Sequence, residues 1–182
     1  MSAAPLSPRA IVVGGGLVGT LMAIYLGRRG WPITIYERHS DPRAASEDTQ
    51  GASINLTLCV RGLRALERGA ALSSIQPALT PVYGRLVHGE DGALTYQAYG
   101  DAGEAIYSIK RRELNGVLLD IAEEVGTRIQ FSYSCVDIDP PTRQLTIRDT
   151  DGRTQTCSAS CVVVADGASS RIRSTQIGRA HV

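Results

Sequence analysis

The chain has 182 residues, 43% hydrophobic and 20% charged, enough to bury one core and begin a second unit. Its 19 Lys and Arg nearly balance 18 Asp and Glu, so neither nucleic acid nor an anionic membrane surface is indicated as a partner. No apolar run approaches the roughly 20 residues of a membrane-spanning helix, and the N-terminus MSAAPLSPRA lacks an apolar signal core, so a cytoplasmic setting is expected.

Residues 1–9 are polar, contain two prolines and read as a disordered start. Ala10-Ile-Val-Val13 is a short β-branched apolar run, the pattern of a buried parallel strand. Gly14, Gly16 and Gly19 follow at G-x-G-x-x-G spacing, and Leu17 to Arg29 reads as a helix stopped by Gly30 and Pro32. Ile33 to Tyr36 is a second strand, with Glu37 at its end.

Each part of this unit suits a dinucleotide site. Gly14 allows the tight turn, Gly16 admits a pyrophosphate close to the backbone, and Gly19 lets the helix pack on the strand. Leu17 and Val18 open the helix, where free N–H groups and the positive dipole end meet phosphate. Glu37, 18 residues after Gly19, can accept hydrogen bonds from a ribose diol. The spacing does not separate FAD from NAD, and a tight turn that binds nothing would have the same glycines.

Residues 39–50 read as a polar surface loop, and Gly51 to Leu58 as a small-residue approach into a short strand. Val60 to Arg68 has helical spacing and stops at Gly69. Glu90-Asp91-Gly92 marks a hairpin turn with arms Tyr83 to His88 and Ala93 to Tyr99, followed by a strand at Ile106 to Ile109. Arg111 to Val125 is an amphipathic helix with its apolar face at Leu114, Val117, Leu118, Ile121, Ala122 and Val125. Strands are expected over Arg128 to Ile138, Gln144 to Arg148 and Thr154 to Ser158, with turns at Pro140-Pro141 and Asp151-Gly152. Cys161 to Ala165 is a second buried strand, ending in Asp166-Gly167. The expected fold is therefore α/β, a Rossmann-like three-layer domain over residues 10–176 with inserted β-hairpins, a β-meander and a hairpin region at 82–109.

Several side chains are candidates for chemistry. Arg111 opens a helix, where a cation is disfavoured unless an anion lies near, although a solvated arginine beside Lys110 and Arg112 is equally readable. Asp166 ends a parallel strand, where such folds bind ligands, and Asp166 or Ser169 could instead cap the next helix. Arg85 and Tyr99 lie on opposite hairpin arms and could take a carboxylate together, or be ordinary sheet residues. His39 and His88 read as structural. Cys59, Cys135, Cys157 and Cys161 show no zinc spacing and read as reduced thiols. No hydrolase triad is evident.

Together these segments resemble the single-component FAD-dependent aromatic hydroxylases, in their kynurenine 3-monooxygenase branch. The matches are VVGGGLVGTL with YERHSDPR, Ser53-Ile-Asn-Leu56, Gly84-Arg-Leu-Val-His88, Gln97-Ala-Tyr-Gly100, Tyr107 to Arg111 with Leu114-Asn115, and Asp166-Gly167, spanning Ala10 to Arg173. The resemblance implies FAD and NADPH as cofactors, and oxygenation of L-kynurenine by O₂ through a flavin 4a-hydroperoxide. It implies that Glu37 holds the adenosine ribose with Arg38 nearby. Arg111 and Asn115 would lie against FAD, Asp166-Gly167 would serve FAD and NADPH, and Arg85 with Tyr99 would bind the substrate carboxylate. No residue is implied as a catalytic acid or base, and no metal.

Two departures shape the expectation. Ala52 stands where the family carries arginine, and the chain ends before the place of the family's second flavin motif, its Gly-Asp pair near the ribityl chain. Ile177 to Val182 back-translates as ATC GGA AGA GCA CAC GTC, which resembles a short-read sequencing adapter. The expectation is an N-terminal piece of a monooxygenase, inactive alone. A hydroxylase of another aromatic compound and a non-catalytic FAD-binding module are the alternatives.

Overall fold

The computed structural model describes residues 9–44 and 54–176. Residues 1–8, residues 45–53 with Ala52 among them, and Ile177 to Val182, on which expectations were placed, lie outside the described residues. The chain begins with β1 (Ala10–Val13), α1 (Leu17–Gly27), β2 (Ile33–Glu37), β3 (Asn55–Leu58), α2 (Val60–Arg68) and α3 (Leu72–Ile75). Next come β4 (Thr80–Val82), β5 (Gly84–His88), β6 (Leu94–Ala98), β7 (Ile106–Lys110) and α4 (Arg111–Glu124). The last elements are β8 (Arg128–Phe131), β9 (Ser134–Asp139), β10 (Gln144–Arg148), β11 (Thr154–Ser158), β12 (Cys161–Val164) and α5 (Arg171–Gln176).

The chain divides into two compact units, residues 1–49 with 115–182, and residues 50–114. In the first, a parallel sheet has the order β12-β1-β2-β8. Its strand β1 is apolar throughout because both faces are covered. Ala10, Val12, Ile33 and Ile35 pack on Ala23 of α1. Ile11 and Val13 pack on Ile138, Leu145 and Ile147 of the antiparallel layer β11-β10-β9. Helix, parallel sheet and meander are the three layers expected from sequence. Leu118, Leu119, Ile121 and Ala122 of α4 are buried as well.

In the second unit, β3 and β4 flank β7 in an antiparallel sheet, and β5 pairs with β6 in a separate two-stranded one. The hairpin turn falls at the expected place. Gly92 has φ +80°, and Asp91 Oδ1 accepts the Ala93 N–H at 3.0 Å. Leu86, Leu94, Tyr96 and Tyr99 are all exposed.

Two expectations need correcting. Arg128 to Ile138 is two strands in different sheets, because Ser132 takes φ +64° and turns the chain. The first helix ends at Gly27 rather than Arg29. The sequence reading also missed α3 and β4.

Candidate functional site

The glycine loop leaves the C-terminal end of β1. Gly14 has φ +104°, and a β-carbon there would collide with the Ala165 carbonyl and stand 3.1 Å from Asp166 Cα. The position therefore needs glycine twice, for its backbone and for the approach of the chain after β12. A β-carbon on Gly19 would strike the Gly14 carbonyl and meet Val12 Cγ1 at 3.1 Å, so α1 rests directly on β1. Gly16 is different: nothing lies within 4 Å of where its β-carbon would be.

Gly16 is also the residue before α1, and no side chain caps that helix. The first-turn N–H groups of Leu17 and Val18 therefore have no intrahelical acceptor and no capping side chain. Thr20, fully buried, donates its hydroxyl to the Gly15 carbonyl at 3.1 Å and fixes the loop from beneath. Sequence reasoning missed Thr20. Its signal was a hydroxyl one turn into a helix opened by a glycine loop.

Glu37 reaches this loop from the end of β2. Its Oε2 accepts the Gly15 N–H at 2.7 Å and its Oε1 accepts the His39 N–H at 2.9 Å. A carboxylate oxygen has room for a second donor, so both remain able to accept ribose hydroxyls. Arg38 is exposed and donates from Nε to His39 Nε2 at 3.1 Å. The backbone here is held by β8 and its exit, through Tyr133 N–H to the Glu37 carbonyl at 2.9 Å and Ser132 N–H to the His39 carbonyl at 3.0 Å.

Asp166 is half-buried beside Gly14, and Gly167 follows with φ +88°. Neither Asp166 nor Ser169 caps α5. Ser170 does, its Oγ accepting the Arg173 N–H at 2.9 Å. Asn115, half-buried on α4, has its Oδ1 buried without a hydrogen-bond partner. These features fit the ADP portion of a dinucleotide. There is open space at Gly16, an uncapped helix start, a carboxylate fixed against the loop, and a buried acceptor with no donor.

Arg43 was not singled out from sequence. It pairs with Asp41 at 2.7 Å, Asp120 at 2.6 Å and Glu123 at 2.7 Å, and its guanidinium carbon lies 5.8 Å from the Phe131 ring centroid. Hydrogen bonds from Arg43 hold the Asp41 carboxyl below the usual range, and those carboxylates push Arg43 upward. The network ties the turn after β2 to α4.

In the second unit, Arg111 begins α4 as expected, is exposed, and donates its backbone N–H to the Ile54 carbonyl at 3.0 Å. Arg85 sits opposite Gln97 and donates from Nε to its Oε1 at 2.9 Å. Tyr99 N–H donates to the Tyr83 carbonyl at 2.9 Å, continuing the register. Alternation along β6 then puts Arg85, Gln97 and Tyr99 on one face of the hairpin. The structure thus brings Gly14, Gly16, Leu17, Val18, Gly19, Glu37 and Asp166 to one end of the parallel sheet, and sets Arg85 with Tyr99 on one hairpin face.

A family model described as an FAD binding domain matches residues 8–179. The kynurenine 3-monooxygenase of Xanthomonas campestris pv. campestris (strain B100) is 40% identical over 186 residues, covering 100% of this chain and 40% of that protein. The kynurenine 3-monooxygenase of Salinispora tropica is 39% identical over 168 residues, covering 91% of this chain and 37% of that one. The chain thus spans about 40% of the length of these curated relatives. Among solved structures, the tetrameric form of 2-methyl-3-hydroxypyridine-5-carboxylic acid oxygenase superposes with TM-score 0.77 at 25% identity, covering 95% of this chain and 43% of that one.

Proposed function

The chain belongs to the FAD-binding domain family, and on that footing we propose that it grips the adenosine and pyrophosphate of FAD in an NADPH-dependent aromatic monooxygenase. L-Kynurenine is the substrate this reading favours, with 3-hydroxykynurenine as product. The observation that carries the FAD assignment is the open space at Gly16 beside an uncapped α1, with Glu37 bonded to the same loop. Identity of 40% to a relative named for kynurenine hydroxylation supports the substrate, as does the placement of Arg85 and Tyr99 on one hairpin face.

When bound, reduced FAD supplies the activation of O₂ that places one oxygen atom on the ring, with NADPH as electron donor and water as the second product. This chain's residues bind and orient. Leu17 and Val18 N–H groups hold pyrophosphate oxygens, Glu37 accepts ribose hydroxyls, and Arg38 serves the adenosine end. Asn115 gives its Oδ1 to a cofactor donor, Arg111 offsets phosphate charge, and Asp166-Gly167 serves FAD and NADPH. Arg85 uses Nε on Gln97 and keeps its terminal nitrogens for the kynurenine carboxylate, to which Tyr99 adds a hydrogen bond. The substrate ring is activated by its own amino group, so orientation and exclusion of water are the protein's main contributions.

Ala52, at the position where the resembling family carries arginine, favours a second reading, a related hydroxylase of another aromatic compound. The test has two stages. FAD is titrated into the chain by flavin fluorescence, and saturable binding is expected. NADPH oxidation is then followed in a protein of the relatives' length carrying this segment, with L-kynurenine and a panel of aromatic amino acids. Stimulation by kynurenine supports the first reading, and stimulation only by another aromatic supports the second. Failure to bind FAD overturns both.

A further inference from the structure

A cavity lies on the face of the parallel sheet turned away from α1. Its volume is 250 Å³, and Arg9, Thr34, Tyr36, Arg128, Gln130 and Gln155 are among the residues lining it. The register explains why they meet. Thr34 pairs with Arg128 and Tyr36 with Gln130 across β2 and β8, so alternate residues of both strands face the same side. Gln155 comes from β11, which forms one edge of the meander.

Among the described residues no carboxylate lines the cavity, while two arginines do. Arg9 is held in place. Its Nε donates to the Ser158 carbonyl at 2.6 Å, and its own carbonyl accepts the Ser160 N–H at 2.9 Å. That geometry commits Nε and leaves the terminal nitrogens for a ligand. Arg128 is exposed, pairs with Thr34 through its backbone and lines the cavity. Two like charges in one concave site repel each other and raise the local concentration of anions. The amides of Gln130 and Gln155 and the Thr34 hydroxyl add neutral donors able to complete the shell of an oxyanion. Guanidinium groups suit such ligands because their N–H forks match two oxygens at once.

We propose that this cavity binds a small, multiply charged oxyanion of the phosphate or pyrophosphate class, separately from the glycine loop. The cavity draws on Arg9 before β1 and Arg128 at the start of β8, whereas the glycine loop leaves the C-terminal end of β1. The site is therefore a second anion site and needs no part of the dinucleotide reading.

Inorganic pyrophosphate is the probe, titrated calorimetrically into the 182-residue chain and into Arg9→Gln, Arg128→Gln and Arg61→Gln variants, the last removing an exposed guanidinium on α2. Saturable binding is expected, weakened about tenfold or more by either cavity arginine replacement, as loss of a charged hydrogen bond requires, and unchanged by Arg61→Gln. Titration followed by NMR should also shift the side-chain amide resonances of Gln130 and Gln155, a readout independent of the variants' stability. The proposal is overturned if wild type shows no saturable binding, if Arg9→Gln and Arg128→Gln both retain it in full, or if those amides do not move.

Discussion

Glu37 Oε2 accepts the Gly15 N–H at 2.7 Å across 22 residues of sequence, so the carboxylate expected to meet a ribose also braces the glycine loop. Replacement by alanine leaves the Gly15 and His39 N–H groups without this acceptor. A lost partner at a partly buried donor costs about 1–3 kcal/mol. Glu37→Ala is expected to lower the melting temperature of the ligand-free chain and also weaken FAD binding. Glu37→Gln, which keeps one carbonyl acceptor, should lose less stability. Thermal denaturation with and without FAD separates the two roles, since a ribose ligand alone would leave the ligand-free melting temperature unchanged.

Gly16 and Gly19 should part company on substitution by alanine. At Gly19 the added carbon meets the Gly14 carbonyl and Val12, which overpacks the α1–β1 contact at a cost of about 1–3 kcal/mol. At Gly16 the added carbon meets no protein atom but enters the space proposed for pyrophosphate. Gly19→Ala should therefore unfold at lower denaturant, whereas Gly16→Ala should keep its midpoint and bind FAD more weakly. Urea denaturation and flavin titration of both variants check this.

Asn115 Oδ1 is buried with no donor. Desolvating such a group without compensation is unfavourable by about 1–3 kcal/mol. Asn115→Leu should leave the ligand-free chain as stable or more so, while weakening FAD binding if the cofactor supplies the missing donor. A fall in ligand-free stability, with FAD affinity intact, would instead assign Asn115 to the core.

The legibility of the chain follows how local each cause is. The β1–α1–β2 unit could be read because its strand, glycine spacing and helix follow one another locally, although the approach of Ala165 to Gly14 comes only from the fold, and Asp91-Gly92 because the turn closes on itself. The break at Ser132 was hidden, since a serine with positive φ carries no glycine or asparagine signal and apolar residues continue on both sides. The brace from Glu37 to Gly15 and the pairing of Arg43 with Asp120 and Glu123 join residues 22, 77 and 80 apart. Only the fold brings such residues together. Capping at Asp166-Gly-Ala-Ser-Ser170 was legible as a helix start but not to the residue, because three of its five residues can cap and Ser170 does so.

Arg85 is exposed, yet Nε is fixed on Gln97 at 2.9 Å, so its fork is oriented before any ligand arrives. In a protein of the relatives' length, Arg85→Ala should raise KM for kynurenine strongly with a smaller change in kcat. Losing one partner of a desolvated charge pair costs about 2–5 kcal/mol. Arg85→Lys keeps the charge but not the fork and should recover only part of the loss. Steady-state kinetics decide it, and an unchanged KM removes Arg85 from the substrate site.

Arg43 offers a pH-dependent test of the network that anchors the turn after β2. Its side-chain hydrogen bonds hold the Asp41 carboxyl below the usual carboxylate range. A carboxyl depressed on folding stabilises the native state above its unfolded pKa of about 3.9, and that contribution is lost as pH falls through the folded value. The Arg43→Met variant lacks the donors, so its Asp41 returns toward the ordinary range. Both side chains of the pair are about a quarter exposed, and solvent screening keeps the effect near 1 kcal/mol. Urea denaturation of the two proteins should show wild type more stable by its full margin at about pH 6. The margin should shrink steadily below about pH 4, where Asp41 begins to protonate in the unfolded state, and vanish as pH falls through the depressed folded value. A margin independent of pH would mean that Arg43 stabilises the turn through packing on Phe131, with its ion pairs contributing nothing measurable.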